Sequence, residues 1–250
     1  MTDPSISKTP DRIAGMFDAI AGRYDFLNHV LSAGIDRRWR RRAIRSLSLS
    51  GREHVLDLCT GTADLAIAAG RATPAAARVV GVDFAGAMLR VGRRKVVRER
   101  LDDRITLVRG DATRIPMANA SVDAVTIAFG IRNVERTQAA CDEMYRVLKP
   151  GGRVAVLEFA MPTIPVIGAV YRGYFRCVLP RIGRLVSRHD AAYGYLPASV
   201  GAFATPDEFV KLLRLSGFSG IEAVPLTLGV VFLYTARKGE THPEPLIPNP

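Results

Sequence analysis

Two acids, Asp57 and Asp83, close successive apolar runs, Val55-Leu56 and Val79-Val80-Gly81-Val82. Between them lies Cys59-Thr60-Gly61-Thr62-Ala63-Asp64, a small-residue turn that leads into an apolar helical stretch. A strand, a tight turn and a helix, with an acid ending the next strand roughly 20 residues on, is how open α/β sheets hold an adenine nucleoside. The turn is a poor cradle for a pyrophosphate. Cys59 and Asp64 stand where a dinucleotide site has its first and third glycines, and Asp64 would bring negative charge to the phosphate position. S-adenosylmethionine has no phosphate and carries an ammonium and a sulfonium, so acids at Asp57, Asp83 and Asp64 suit it. Asp64 reads equally well as a first-turn acid that complements the helix dipole.

These residues need a scaffold, and the hydrophobic pattern supplies one. Strands are expected at 54–58, 78–83, 105–108, 122–129 and 154–159, with helices at 62–69, 85–100 and 138–148 between them. The run Val122 to Phe129 is nearly continuous in apolar residues, as a parallel strand covered on both faces requires. Strand and helix in this rhythm give a doubly wound parallel sheet. Helical patterning from Asp11 to Leu47, broken near Gly22 and Gly34, forms an N-terminal helical cap over 11–50. Thr205 with Pro206 and Glu208 opens a later helix ending at Gly217, and strands near 221–226 and 230–236 make an antiparallel pair at the sheet edge. The organisation expected is one domain over 11–238, with disordered termini at 1–10 and in the Pro-rich 239–250.

Composition narrows the class. Three scattered cysteines and four histidines without ligand spacing argue against disulfides and against a metal site. No apolar run is long enough to cross a bilayer, and the first residues lack a secretory pattern, so a cytoplasmic protein is expected. The formal charge is +11, concentrated at 37–42, 90–104 and 172–188. Such a surface is either solvated arginine or a contact for a polyanion, of which an anionic membrane face is favoured. Nucleic acid is not expected, because the aromatic interleaving of RNA-binding sheets is missing. The stripe Val166, Ile167, Val170, Tyr171, Tyr174, Phe175, Val178, Leu179 forms an apolar helix within a 160–200 insertion. It reads as core packing, or as a lid over a greasy substrate or against a membrane.

Three blocks then carry a resemblance. They are Tyr24-Asp25-Phe26-Leu27-Asn28 with Leu31-Ser32, Gly34, Arg37 and Trp39; Ala128-Phe129-Gly130-Ile131-Arg132-Asn133-Val134; and Arg146-Val147-Leu148-Lys149-Pro150-Gly151-Gly152 followed by Leu157-Glu158-Phe159. A softer match runs through Tyr193-Gly194-Tyr195-Leu196-Pro197 and Ser199-Val200. In this order the chain resembles the ubiquinone/menaquinone biosynthesis C-methyltransferases from about Arg12 to Lys238. The resemblance implies the seven-stranded class I methyltransferase fold, a Rossmann-like sheet with an antiparallel last strand, and S-adenosylmethionine as cofactor without a metal. It places cofactor contacts at Asp57, Gly61, Thr62, Asp83, Asp111, Ala112 and Ala128. The chain departs from the family at Asp36, Ala63, Ala160 and Tyr234.

The reaction so implied is methylation of a ring carbon of a prenylated hydroquinone, benzo- or naphtho-, with another aromatic small molecule as the alternative. A hydroquinone carbon is a poor nucleophile until a phenol near pKa ~10 loses its proton. Arg132 is the candidate to stabilise the developing charge, Asn133 to orient a ring oxygen, and Tyr24 to contact the quinol from the cap. Two of them have a plainer reading: a salt bridge for Arg132 and lid packing for Tyr24. The partners expected are a lipid-soluble prenylated quinol, an anionic membrane surface at the inner face of the cell membrane, and a second copy in a homodimer.

Overall fold

In the computed structural model, which describes residues 8–32, 34–72, 78–173 and 190–240, the apolar runs pair into one seven-stranded sheet. The strands are β1 His54–Leu58, β2 Arg78–Asp83, β3 Ile105–Arg109, β4 Val122–Ala128, β5 Leu148–Phe159, β6 Phe218–Leu226 and β7 Val231–Lys238, in the order β3-β2-β1-β4-β5-β7-β6. The order reverses between β1 and β4, which pair in parallel from Val55↔Ala124 to Leu58↔Ile127. That switch point opens a crevice at the carboxyl ends of both strands, where such sheets bind ligands. The last strand runs antiparallel between β5 and β6, with Glu158 opposite Phe232. The expected edge hairpin is therefore present, but its second strand lies inside and its first forms the edge.

Alternation along the strands feeds two cores. Val55, Val79, Ala124 and Ala155 point to the face covered by α3 (Asp36–Ser46), α4 (Asp64–Ala72) and α5 (Gly86–Arg98), where Trp39, Ala43, Ile44, Leu65, Ala66 and Leu89 are buried. Leu56, Leu58, Val125, Ile127 and Val156 point to the other face, against Cys141 and Met144 of α6 (Thr137–Val147) and Phe209 and Leu213 of α9 (Pro206–Leu215). Burying one such side chain stabilises by about 1.5–3 kcal/mol. Tyr234 belongs here: it is 2 % exposed and meets the Phe209 ring edge-on at 4.8 Å.

The cap forms as α1 (Pro10–Ile20), α2 (Tyr24–Leu31) and α3, with breaks at the glycines that the sequence singled out. Gly34 has φ +75°, a conformation that costs glycine nothing. Helix α9 carries the full capping box: Thr205 N donates to Glu208 Oε2 over 2.7 Å, and the Thr205 hydroxyl accepts from Glu208 N. Beyond β5, α7 (Pro165–Gly173) and α8 (Asp190–Gly201) are described. The expected helix at 166–179 is seen only to 173; its remainder, the basic run from 174 and the terminal segments 1–7 and 241–250 lie outside the described residues. Among the described residues no helix is long and apolar enough to cross a membrane.

Candidate active site

The turn after β1 holds three alternate residues in the left-handed region: Cys59 at φ +55°, Gly61 at +54° and Ala63 at +67°. Only one is glycine, and each of the other two costs roughly 1–2 kcal/mol. The Ala63 methyl fits because its neighbour is Gly92, where a Cβ would come within 3.2 Å of it. The turns after β1 and β4 touch closely, since a Cβ on Gly130 would lie 2.3 Å from the Cβ of Cys59. The two strand ends thus form one continuous floor.

Asp57 lies beneath that floor, 1 % exposed. Its oxygens accept from the Thr60 hydroxyl at 2.6 Å and the Thr126 hydroxyl at 2.8 Å. Burial nevertheless pushes its carboxyl up to about 6, because two neutral hydroxyls do not replace water around a charge. Asp83 is the acid at the cleft itself. One oxygen accepts from Gly61 N and the other from Ala85 N, both at 2.8 Å, which leaves each with acceptor capacity toward the cavity. Burial raises the Asp83 carboxyl too, against the pull of these N–H groups.

Asp83, Asp111, Ala112 and Asn133 line a single cleft, together with Cys59, Gly110 and Lys8. Asp111 is held by an oxygen that accepts from Thr113 N at 2.8 Å and from its hydroxyl at 3.0 Å. Half-buried Ala128 ends β4 and packs on the first core. Thr62 turns elsewhere: its hydroxyl donates to Asp25 and accepts from Lys95 Nζ at 3.3 Å. Lys95 also bonds Asp25 at 2.6 Å and Asp64, while Arg40 pairs with Asp36 and, at 3.7 Å, with Asp64. Asp64 is therefore spent on cations of α5 and α3, and the network ties the cap to the sheet. Asp36 is a buried member of that network and also accepts from Ser32 at 2.9 Å.

Arg132 and Asn133 sit in a short 3-10 turn, Ile131–Asn133, at the head of β4. Arg132 Nη1 donates to Glu158 Oε1 and to Phe129 O, each at 2.6 Å, and the guanidinium lies 5.4 Å from the Phe159 ring centre. Burial alone would lower the Arg132 pKa, but the Glu158 carboxylate overrides it and raises it. Asn133 Oδ1 accepts from the Tyr195 hydroxyl at 3.1 Å, and Arg132 Nε reaches Ser199 Oγ at 3.4 Å. Two residues one turn apart on α8 thus hold two adjacent residues of the 3-10 turn. Tyr24 packs edge-on against Phe17 at 5.8 Å. Burial raises its phenol, opposed by Asn28 and by the positive field of Arg132. Tyr24 thus lies within electrostatic reach of both Arg132 and Asp83.

Sequence reasoning did not single out Lys8, Tyr195 or Ser199 for the site, nor Glu158 as Arg132's partner. For Glu158 the signal was present, because it ends an apolar strand just as Asp57 and Asp83 do. Cys59, set among Asp83, Asp57, Glu158 and Asp111, has its thiol held well above the usual range, first by burial and then by their charge. Among the described residues no group of three or more His, Cys, Asp or Glu could hold a metal ion.

The ubiE/COQ5 methyltransferase family matches residues 6–238. The chain belongs to that family. Among its relatives is the ubiquinone/menaquinone biosynthesis C-methyltransferase UbiE of Geobacter sp. (strain M21), 45 % identical over 94 % of this chain and 99 % of that protein. The UbiE of Syntrophotalea carbinolica is 50 % identical over 88 % and 91 %, and the demethylmenaquinone methyltransferase of Bacteroides fragilis 40 % over 92 % and 94 %. Of solved structures, the [4+2]-cyclase SpnF superposes with TM-score 0.67 at 16 % identity, covering 93 % of this chain and 97 % of SpnF. A SAM-dependent methyltransferase from Aquifex aeolicus gives 0.58 at 15 %, covering 79 % and 88 %. These likenesses show the class I methyltransferase fold.

This ubiE/COQ5 family member is an S-adenosylmethionine-dependent methyltransferase, and its cleft fits that cofactor. Asp83 keeps acceptor positions at the end of β2 that a ribose diol could use, and charge-assisted bonds of this kind are the strong ones. The carboxylates of Asp83 and Asp111 in the cleft, with Asp57 below its floor, disfavour a phosphate and suit a cation.

Proposed function

We propose that this enzyme methylates a ring carbon of a prenylated hydroquinone, as in the step from demethylmenaquinol to menaquinol. The observation that carries the reading is the buried Arg132–Glu158 pair directly behind Asn133, which lines the same cleft as Asp83 and Asp111. Bound in the cleft, the cofactor would supply an electrophilic methyl group; the acceptor's ring carbon would take it and give up its ring proton to solvent, with adenosylhomocysteine as the other product.

The chain's own residues prepare the acceptor. Glu158 and Phe129 O take Arg132 Nη1, which leaves the other arm of the guanidinium to donate to a phenolic oxygen as it gains charge. Because Asn133 Oδ1 is taken by Tyr195, its NH2 is the group that can donate to a ring oxygen and fix the ring's rotation. Tyr24 closes the site from α2 and, with Phe17, Ala85 and Met88, keeps water from the reacting atoms. Asp83, Asp111, Ala112 and Gly61 hold the adenosine half; Asp57 shapes the floor, and Ala128 and Thr62 support the turn around it.

The isoprenoid tail requires an apolar channel, and a substrate dissolved in a bilayer favours a peripheral enzyme at the anionic inner face of the membrane. The deciding experiment is mass spectrometry of quinones from cells lacking this protein. Accumulation of a ring-demethylated prenyl quinol is expected. An unchanged quinone pool would overturn the reading in favour of another aromatic acceptor.

A further inference from the structure

Three large aliphatic side chains stand out together at one end of the sheet. Leu228, in the β6–β7 turn, is 63 % exposed, and Ile164 and Val166, at the start of α7, are 50 % and 71 % exposed. The chain draws these segments together: Ala160 N donates to Val230 O over 3.0 Å, and a Cβ on Gly229 would lie 4.0 Å from the Cα of Pro162. The turn is strained. Thr227 at φ +46° and Leu228 at φ +60° precede Gly229 at +84°, so a β-branched and a bulky residue both occupy the left-handed region. Trp39 clamps the turn from α3, its Nε1 donating to Thr227 Oγ1 at 2.9 Å. A backbone strained to expose a leucine points to a use for that leucine.

Charge lies beside it. Arg38 and Arg42 flank Trp39 on α3, one helical turn apart and both exposed. Arg42 shares a groove with Val224 of β6 and Leu233 of β7, the strands that lead into the turn, and with one acid, Glu222. The acid of α3 itself, Asp36, is buried against Arg40. An apolar tip rimmed by arginine matches an interface of hydrocarbon beneath anionic headgroups.

We propose that this edge, Leu228 with Ile164 and Val166 and the Arg38–Arg42 stripe, docks the enzyme on an anionic bilayer. The aliphatic groups enter the acyl boundary and the guanidiniums meet headgroup phosphates, which sets the mouth of the cleft toward the layer that dissolves the tail. The inference rests on the prenylated-quinol reading for its purpose, but its test does not need that reading.

The test is co-sedimentation with phosphatidylcholine vesicles, with and without phosphatidylglycerol. Wild type is expected to partition onto the anionic vesicles and to leave them at high salt. Leu228→Gly should weaken partitioning by about tenfold, and Arg38→Gln with Arg42→Gln by about fivefold for each arginine. Val166→Ser, on the other segment, should act in the same direction as Leu228→Gly. Leu228→Gly should be at least as heat-stable as wild type, because glycine relieves the turn; a purely structural leucine would give the opposite sign. All variants should bind adenosylhomocysteine as wild type does. Unchanged partitioning in the variants, or equal binding to neutral vesicles, overturns the proposal. So does a dimer that Leu228→Gly dissolves, since a second copy would then cover the edge. Methylation of a prenylated hydroquinone dispersed in neutral detergent micelles examines the activity separately: if wild type fails there, the substrate reading falls and the vesicle result stands alone.

Discussion

Arg132 Nη1 and Glu158 Oε1 lie 2.6 Å apart, with the two side chains 6 % and 0 % exposed. Glu158 also accepts from the backbone N of Arg132 at 3.2 Å and from Phe159 N at 2.8 Å, so one carboxylate anchors both the 3-10 turn and the end of β5. Removing one partner leaves the other charge buried without compensation. Glu158→Ala is expected to destabilise the enzyme by about 3–5 kcal/mol in urea unfolding, and the double change Glu158→Leu with Arg132→Met by less than the sum of the single ones. Additive losses would mean that the two do not act as a pair.

Asp83→Ala should weaken adenosylhomocysteine binding by at least tenfold, on the scale of about 1.5–3 kcal/mol for each charged hydrogen bond. Calorimetry measures it directly. Asp83→Asn should lie between, since the amide keeps one acceptor for Gly61 N or Ala85 N.

Tyr195→Phe removes one hydroxyl from a buried contact 3.1 Å from Asn133 Oδ1. The Asn133 amide is then free to rotate. Turnover is expected to fall about tenfold, the size of a lost orienting hydrogen bond, with cofactor affinity unchanged. A parallel loss of cofactor affinity would place Asn133 on the cofactor instead of the acceptor.

Asp57 gives the pH dependence. Its carboxyl titrates at about 6 in the folded protein against an ordinary 3.8, so the folded state holds a proton that the unfolded state has lost. That contribution is complete below the ordinary value and disappears as pH rises through about 6, leaving a buried charge above it. Asp57→Asn should therefore gain stability relative to wild type at pH 8, by about 1–3 kcal/mol, and lose the advantage below pH ~4. Unfolding midpoints across that range decide it. An advantage that grows toward acid would reverse the assignment.

Ala63→Gly tests the strained turn. Ala63 holds φ +67° with its methyl against Gly92, and glycine adopts that backbone freely. Thermal unfolding should show a gain of up to about 1 kcal/mol. Gly92→Ala should do the reverse, because its Cβ would meet Leu107 at 2.9 Å and Ala63 at 3.2 Å.

The sheet was legible because its strands are nearly unbroken apolar runs, and acids at their ends mark the crevice. The position of β7 between β5 and β6 was not, since a hairpin can present either strand to its neighbour. Asp83, Asp111, Ala112 and Asn133 do meet in one cleft. Thr62 and Asp64 were harder to place: their partners, Asp25 and Lys95, are 37 and 31 residues away, and local patterning cannot show which polar group a turn residue will choose. Tyr195 bonds Asn133 across 62 residues and Ser199 meets Arg132 across 67, so the support behind the site appears only once α8 is folded onto it.

Cys59 has a bearing on self-damage. A sulfur anion next to an alkylating sulfonium would capture the methyl group meant for the substrate, and each such event would retire one enzyme molecule. Burial first, and then the ring of carboxylates that suits a cationic donor, keeps this thiol protonated, and so unreactive. Shelter from water, helped by the same negative charge that draws in the reagent, therefore disarms the thiol built into its floor.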